Sequence, residues 1–296
     1  MATVNDRPLQ GKACVVTGAG QGIGAAIAKA MAAAGAQVLV NDIQADKAAL
    51  TVKSIREAGG VAEADDTDIS SFGGADALID RCLADFDAID ILVNNAGILR
   101  DRMSFNTSAA DWDAVIAVCL TGTFACSRAA VRWMRDEKRG GRIINLTSRS
   151  GLRGNVGQTN YAAAKAGVLG ITRTMAQEVV KYGITVNAIS PRAETAMTAS
   201  IPHDVAAKRD AHLGHGGVRR RGSPEEIAPV AVFLALDESA WINGQVVGIG
   251  GDKLSLWSHP KEVAEAFSFG GWSLQQLRDH FKPTVGYELQ SVGNKD

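Results

Sequence analysis

The stretch from residue 12 to residue 42 constrains the fold most. Residues 12–17 read K-A-C-V-V-T, a short apolar run that predicts a buried strand. A loop, G-A-G-Q-G-I-G, carries Gly18, Gly20, Gly22 and Gly24. The Ala-rich residues 25–34 then predict a helix, stopped by Gly35. Residues 37–40 form a second apolar run, ended by Asn41 and Asp42. Strand, glycine loop, helix, strand and acid make the βαβ arrangement that binds a dinucleotide. Glycines let backbone approach a pyrophosphate, and the helix N-terminus offers N–H groups and positive dipole. Gly18, Gln21, Gly22, Ile23 and Gly24 are therefore the expected phosphate-binding residues. Asp42 follows Gly24 by roughly the twenty residues expected of the acid that holds a ribose. A carboxylate there repels a 2′-phosphate, so the expected cofactor is NAD in preference to NADP.

The pattern of strand then helix continues. Residues 61–64 predict a third strand, followed by Asp65, Asp66 and Asp68. These acids read either as solvated loop residues or as placing one carboxylate against an adenine amino group. A helix is expected over about 70–86 and a short strand over 91–93, before Asn94-Asn95-Ala96-Gly97. Gly97 allows close passage of a ligand, while Asn94 either faces that ligand or ties neighbouring strands. Residues 111–139 read as one long helix and 141–147 as a strand. A helix from Tyr161 to about Tyr182, a strand over 184–189, a helix capped at Ser223-Pro224-Glu225 and a strand over 245–249 complete the series. Strands alternating with helices imply a parallel sheet with right-handed crossovers. No composition break divides residues 1–251, which read as one NAD-binding and catalytic domain. Within it, residues 193–222 lose the pattern. Their glycines and Arg219, Arg220 and Arg221 read either as a lid meeting an anionic substrate or as a solvated run.

Residues 252–296 hold six of the sixteen aromatic residues: Trp257, Phe267, Phe269, Trp272, Phe281 and Tyr287. A disordered tail should be aromatic-poor, so this extension is expected to pack on the body or on a neighbouring subunit.

A net charge of −1 gives no basis for a nucleic-acid or membrane surface. The charge-free residues 13–28 are broken by four glycines and predict no membrane span. The first residues lack the apolar core of a signal peptide. Cys14, Cys82, Cys119 and Cys126 show no metal spacing and fit reduced thiols in a cytoplasmic protein. His212 and His215 have no Cys or Glu nearby to complete a site, so no metal is expected.

The chemistry is expected at Ser148, Tyr161 and Lys165. Tyr161 and Lys165 are four residues apart, hence on one helix face, with Asn160 as a plausible cap. An ammonium beside a phenol favours the phenolate, which makes Tyr161 a usable acid or base. Ser148 ends the preceding strand, where its hydroxyl could hold a carbonyl oxygen while Tyr161 moves the proton.

Together these residues resemble the short-chain dehydrogenase/reductase family. The family's T-G-x-x-x-G-x-G is Thr17, Gly18, Gly22 and Gly24, and its N-N-A-G is Asn94–Gly97. Its Ser is Ser148, thirteen residues before Tyr161, and its Y-x-x-x-K is Tyr161 and Lys165. The resemblance spans about residues 9–251. It implies a Rossmann-type sheet of seven strands in the order 3-2-1-4-5-6-7, and usually a homotetramer. It implies NAD contacts at Asp68, Ile69, Asn95, Ala96, Gly97 and Pro191, with Lys165 on the nicotinamide ribose. Helices holding Asp111 and Tyr161 would form one subunit interface. Two positions depart from the family. Cys119 stands where a mid-helix Asn usually supports a proton relay, and Pro191-Arg192 replaces Pro-Gly. The Thr that holds the nicotinamide carboxamide is then Thr195 or Thr198. Residues 191–198 and the tail are similar to the subgroup of hydroxyacyl-CoA dehydrogenases in peroxisomal multifunctional enzymes and its bacterial relatives. The resemblance implies a 3-hydroxyacyl thioester as substrate, with a bulky steroid or alicyclic ketone as the alternative. A sensor that binds NAD without catalysis is the reading from a different class.

Overall fold

The computed structural model describes residues 7–193 and 222–289. Eight strands form one sheet in the order β3-β2-β1-β4-β5-β6-β7-β8. They are β1 (Ala13–Thr17), β2 (Gln37–Asn41), β3 (Val61–Asp65), β4 (Ile91–Asn94), β5 (Gly141–Leu146), β6 (Ile184–Pro191), β7 (Val246–Gly250) and β8 (Lys253–Trp257). The first seven run parallel, in the expected order. Strands covered on both faces read as continuous apolar runs, and β1, β4 and β5 are buried along their whole length.

Each face carries its own helices. On one, α1 (Gly22–Ala33), α2 (Ala45–Glu57) and α8 (Pro224–Ala235) bury Ile27, Met31, Val52, Ile227 and Leu234 against Val38 and Val40. On the other, α3 (Phe72–Phe86), α5 (Thr123–Asp136) and α7 (Thr159–Val179) bury Leu78, Ile79, Met134 and Met175 against Ile143, Ile184 and Val186. Ile143 is fully buried at the centre of this layer, and truncating such a residue to Ala costs about 2–5 kcal/mol. The cap at Ser223 forms as expected: its N–H donates to Glu226 Oε2 at 2.6 Å.

Three details differ from the sequence reading. First, the long helix over 111–139 is α4 (Ala109–Ile116), a π turn (Ala117–Gly122) and then α5. The π turn brings Val118 to the cleft described below and Cys119 into the interior. This helical stretch, 109–136, is long and apolar enough to cross a membrane by length and composition, but half of its apolar window is buried within the fold. Second, Asn160 does not cap α7. Gln158 occupies that position, and Asn160 instead donates to the carbonyls of Arg100 and Asp111. Third, an eighth strand follows the seven. Residues Gly250 and Lys253 pair across a two-residue turn whose first residue, Gly251, has φ +54°. That is a glycine-first hairpin turn, and K-L-S-L-W alternates as a strand should. Beyond β8 the chain continues to α9 (Leu274–His280), with Phe267, Phe269 and Tyr287 exposed.

Candidate active site

The strand order reverses between β1 and β4, and crevices at such a switch point are where open α/β sheets bind ligands. A cavity of 460 Å³ opens there. Thirteen of the sequence candidates line it: Gly18, Gln21, Gly22, Ile23, Asp42, Asp68, Ile69, Asn95, Ala96, Gly97, Tyr161, Lys165 and Pro191. Gly24 lies beneath the loop, where an added Cβ would sit 2.3 Å from the Gly18 carbonyl oxygen. Gly18 has φ +60°, and a Cβ on it would fall 2.7 Å from Ala96 Cα. Thr195, Thr198, His212, His215 and the arginines 219–221 lie outside the described residues. So does the expected lid, except for its ends: Ala193 and Gly222 meet in an isolated bridge. Among the described residues, no three metal-capable side chains cluster.

The loop's shape is held by the Asn-Asn-Ala-Gly segment. Asn95 Nδ2 donates to the carbonyls of Thr17 and Gly18, each at 2.9 Å. Thr17 Oγ1 accepts from the N–H groups of Asn95 and Ala96 at 3.1 Å. Asn94 ties strands: its Nδ2 donates to Asn145 Oδ1 at 2.9 Å and to Ser127 Oγ at 2.8 Å. The ends of β1 and β4 are thus joined by buried polar groups that leave neighbouring backbone facing the cleft.

Asp42 stands at the end of β2 with its carboxylate at the glycine loop. Oδ2 accepts from Gly20 N at 2.9 Å and Oδ1 from Gln44 N at 3.0 Å. A carboxylate has about four acceptor sites, so capacity remains for ribose hydroxyls. The nearest residues after it are Ile43 and Gln44, and Lys47 donates to Gln21 Oε1 at 2.9 Å. Among the described residues that line the cleft, no cation stands beside Asp42 to receive a 2′-phosphate. Of the three acids after β3, Asp68 lines the cleft, whereas Asp65 is engaged by Asn41 and Thr67.

At the other end of the cleft, Ser148 caps the short helix α6 (Arg149–Arg153), its Oγ accepting from Ser150 N at 3.2 Å. Ser148 also hydrogen-bonds the Tyr161 side chain. Lys165 is buried on the same helix as Tyr161, with Nζ donating to the Leu146 carbonyl at 2.7 Å and lying 5.8 Å from the Tyr161 ring centre. The expected pairing of ammonium and phenol is therefore loose. Burial pushes Tyr161 well above the ordinary phenol value, the adjacent Cys119 thiol adds to this, and the Ser148 hydrogen bond opposes it. Burial likewise lowers Lys165. Cys119 is fully buried against Val115, Ala164 and Tyr161, and its Sγ accepts from Ile98 N at 3.4 Å. It packs as a small apolar residue.

Sequence reasoning missed the network that sets the α6–α7 loop. Gln158 is buried; its Oε1 accepts from Ser150 Oγ at 2.8 Å and Asn155 Nδ2 at 2.7 Å, while Nε2 donates to Asp101 at 2.9 Å. These bonds fix the turn that joins Ser148 to Tyr161. No local pattern marks a Gln for this work, because its bond to Asp101 joins residues 57 apart in sequence.

Comparison with known proteins agrees with this geometry. A family model described as enoyl-(acyl carrier protein) reductase matches residues 18–251. Hydroxyacyl-CoA dehydrogenase ChsB1 of Mycobacterium tuberculosis is 40% identical over 297 aligned positions, covering 94% of this chain and 91% of that protein. The 3-oxoacyl-[acyl-carrier-protein] reductase FabG of Thermotoga maritima is 40% identical over 244 positions, covering 82% of this chain and 98% of that protein. A crystal structure of a short chain dehydrogenase from Mycobacterium avium superposes with a TM-score of 0.84 at 37% identity, covering 96% of this chain and 98% of that one. With the sheet order, and with the glycine loop, Tyr161 and Lys165 on one cleft, these matches make the chain an oxidoreductase of the short-chain dehydrogenase/reductase family.

Proposed function

We propose that the protein is an NAD(H)-dependent dehydrogenase/ketoreductase that interconverts 3-hydroxyacyl and 3-oxoacyl thioesters. The observation that carries the reaction is the single cleft that holds Asp42 at one end and Tyr161 and Lys165 at the other. The cradle fits a dinucleotide: a side chain on Gly24 would collide with the loop's own backbone and one on Gly18 with Ala96, and Asp42 keeps acceptor capacity. When bound, NADH supplies the hydride and NAD⁺ accepts it. Gly18, Gln21, Gly22 and Ile23 hold the pyrophosphate, Asp42 the adenosine ribose, and Asp68 and Ile69 the adenine. Asn95, Ala96, Gly97, Pro191 and Lys165 hold the nicotinamide end, together with Thr195. The negative charge on Asp42, with no cation beside it among the described residues of the cleft, favours NAD over NADP.

Ser148 Oγ holds the substrate oxygen. In reduction, the Tyr161 phenol donates its proton to that oxygen as the carbonyl carbon becomes a carbinol; in oxidation, the phenolate takes the proton back. Lys165 positions the ribose and adds positive charge near the phenol.

Two observations support the thioester. The names of both relatives refer to acyl substrates, and the tail distinguishes between them. The alignment with the hydroxyacyl-CoA dehydrogenase leaves out 6% of this chain, too little to contain the tail, whereas the one with the carrier-protein reductase leaves out 18%. We read the tail as an element of acyl-CoA recognition that packs on a neighbouring subunit, because Phe267 and Phe269 find no cover among the described residues. Tetramer assembly through α4, α5 and α7 follows the same logic: Trp112 and Phe124 are exposed, and α7 presents Ala163 and Gly170 to open space.

The test is a steady-state panel with NADH: acetoacetyl-CoA, a steroid ketone and an alicyclic ketone. A kcat/KM for acetoacetyl-CoA at least a hundredfold above the others supports the thioester. A reversed order moves the assignment to bulky ketones, and no turnover of any ketone, with NADH bound, leaves the non-catalytic sensor.

A further inference from the structure

Three consecutive residues outside the reacting groups hold the start of α7. The Arg100 carbonyl accepts from Asn160 Nδ2 at 3.1 Å, Asp101 Oδ2 accepts from Gln158 Nε2 at 2.9 Å, and Arg102 N–H donates to the Gly157 carbonyl at 2.8 Å. The segment that carries them leaves the cleft wall at Gly97 and Ile98. Gln158 passes the contact inward. Its Oε1 accepts from Ser150 Oγ at 2.8 Å, and Ser150 N donates to Ser148 Oγ at 3.2 Å. Its backbone carbonyl accepts from Ala162 N at 2.7 Å, next to Tyr161. A path through Gln158 and Ser150 therefore joins the Asp101 carboxylate to the hydroxyl that hydrogen-bonds Tyr161.

The polarity of this path is fixed. An amide has a donor at one end and an acceptor at the other, while an ionised carboxylate only accepts. Asp101 thus takes the Nε2 end, and the donors on Ser150 and Asn155 take Oε1. Gln158 and Ser150 are buried, so a mismatched partner there costs desolvation. Neither Asp101 nor Gln158 lines the cofactor cleft.

We propose that Asp101 and Gln158 are positioning residues, which hold Ser148 and Tyr161 in register for proton transfer. This rests on the roles given above to Ser148 and Tyr161. The Asp101 charge has a second effect. Around Tyr161 stand Cys119 from the π turn, Ser148 before α6, Lys165 one turn along α7, and Asp101. Burial chiefly holds the phenol above its ordinary value; Cys119 adds to this, the Ser148 bond opposes it, and the Asp101 carboxylate adds again.

The test reverses the polarity. Gln158→Glu keeps the size and the acceptor for Ser150 and Asn155 but sets a second carboxylate against Asp101. At about pH 9, where both carboxyls are ionised, kcat for acetoacetyl-CoA reduction is expected to fall about tenfold or more. KM and the NADH dissociation constant should stay within about threefold, since neither residue lines the cleft. Adding Asp101→Asn gives the pair a donor again and should restore most of the lost kcat. Alone, Asp101→Asn keeps an acceptor for Gln158 and removes the charge. The rising limb of the oxidation profile should then move to lower pH, which loss of a merely structural contact would not do. Wild-type kcat in Gln158→Glu, a loss that Asp101→Asn does not restore, or an oxidation limb that stays in place in Asp101→Asn overturns the proposal. If Gln158→Glu does not fold, the oxidation limb of Asp101→Asn decides alone. A wild type inactive with every ketone overturns the dehydrogenase reading and this proposal with it; an active wild type with insensitive variants overturns this proposal only.

Discussion

On the β1–β4 side of the sheet, the turns that meet the cleft are tied by buried side chains. Asn95 holds the glycine loop, Asp42 holds its Gly20 N–H, and Asn94 bolts β4 to β5. On the β6–β8 side, the residues with chemistry are exposed cations and aromatics: Arg153 and Lys253 at the rim of a small cavity, and Phe267, Phe269 and Tyr287 beyond it. The first region must present one backbone geometry to a cofactor common to a whole family. In the reading proposed above, the second meets a substrate that differs between relatives, so its groups stay at the surface and its strands accept an addition such as β8. Fixed chemistry and variable specificity are thus divided along one sheet.

The sharpest way to break that division is Tyr161→Phe. The account expects kcat to fall about 10²–10⁴-fold, the usual worth of a positioned acid or base, while the NADH dissociation constant measured by fluorescence stays within a few-fold. Retained turnover above a few per cent would remove Tyr161 from its role. The pH profile comes next. Burial raises Tyr161, and oxidation needs the phenolate, so kcat/KM for oxidation should climb with pH by about tenfold per unit from neutral upward. Reduction uses the phenol and should stay flat near neutrality, falling only when Tyr161 ionises. An oxidation profile that is flat over the same range would contradict the assignment. Smaller again is Asp42→Ala, expected to cut the ratio of NAD to NADP efficiency by about tenfold or more, since it removes a like-charge contact with the 2′-phosphate. An unchanged ratio would refute the ribose contact. Smallest is Cys119→Ala, expected to change kcat less than about threefold because Cys119 serves as buried packing. A large loss would show that the thiol has taken over the relay.

The division also explains what could be read from the chain. The glycine loop, Asp42, Asn95–Gly97 and Tyr161 with Lys165 were legible because a βαβ unit and a helix place residues at fixed spacings. All of them except Gly24 and Gly20 of the glycine loop line the cleft. The looseness of the Lys165–Tyr161 pair was not legible: spacing puts two residues on one face, but a carbonyl at Leu146 decides where the ammonium goes. The Gln158 network was invisible for a similar reason, since it ties the α6–α7 loop to Asp101, far away in sequence. The π turn escaped because periodicity alone does not separate it from an α-helix. The strand β8 could have been seen in the alternation of K-L-S-L-W after a Gly-Gly-Asp turn. It was obscured by the expectation that the sheet ends at seven.

The central claim is that Tyr161 delivers the proton in a cleft that binds NADH whether or not Tyr161 can act. Rapid mixing of the preformed enzyme–NADH complex with acetoacetyl-CoA tests it most directly. The account predicts a single-turnover loss of NADH absorbance in the wild type and persistent absorbance, with bound-NADH fluorescence, in Tyr161→Phe. Decay at similar rates in both proteins would contradict it.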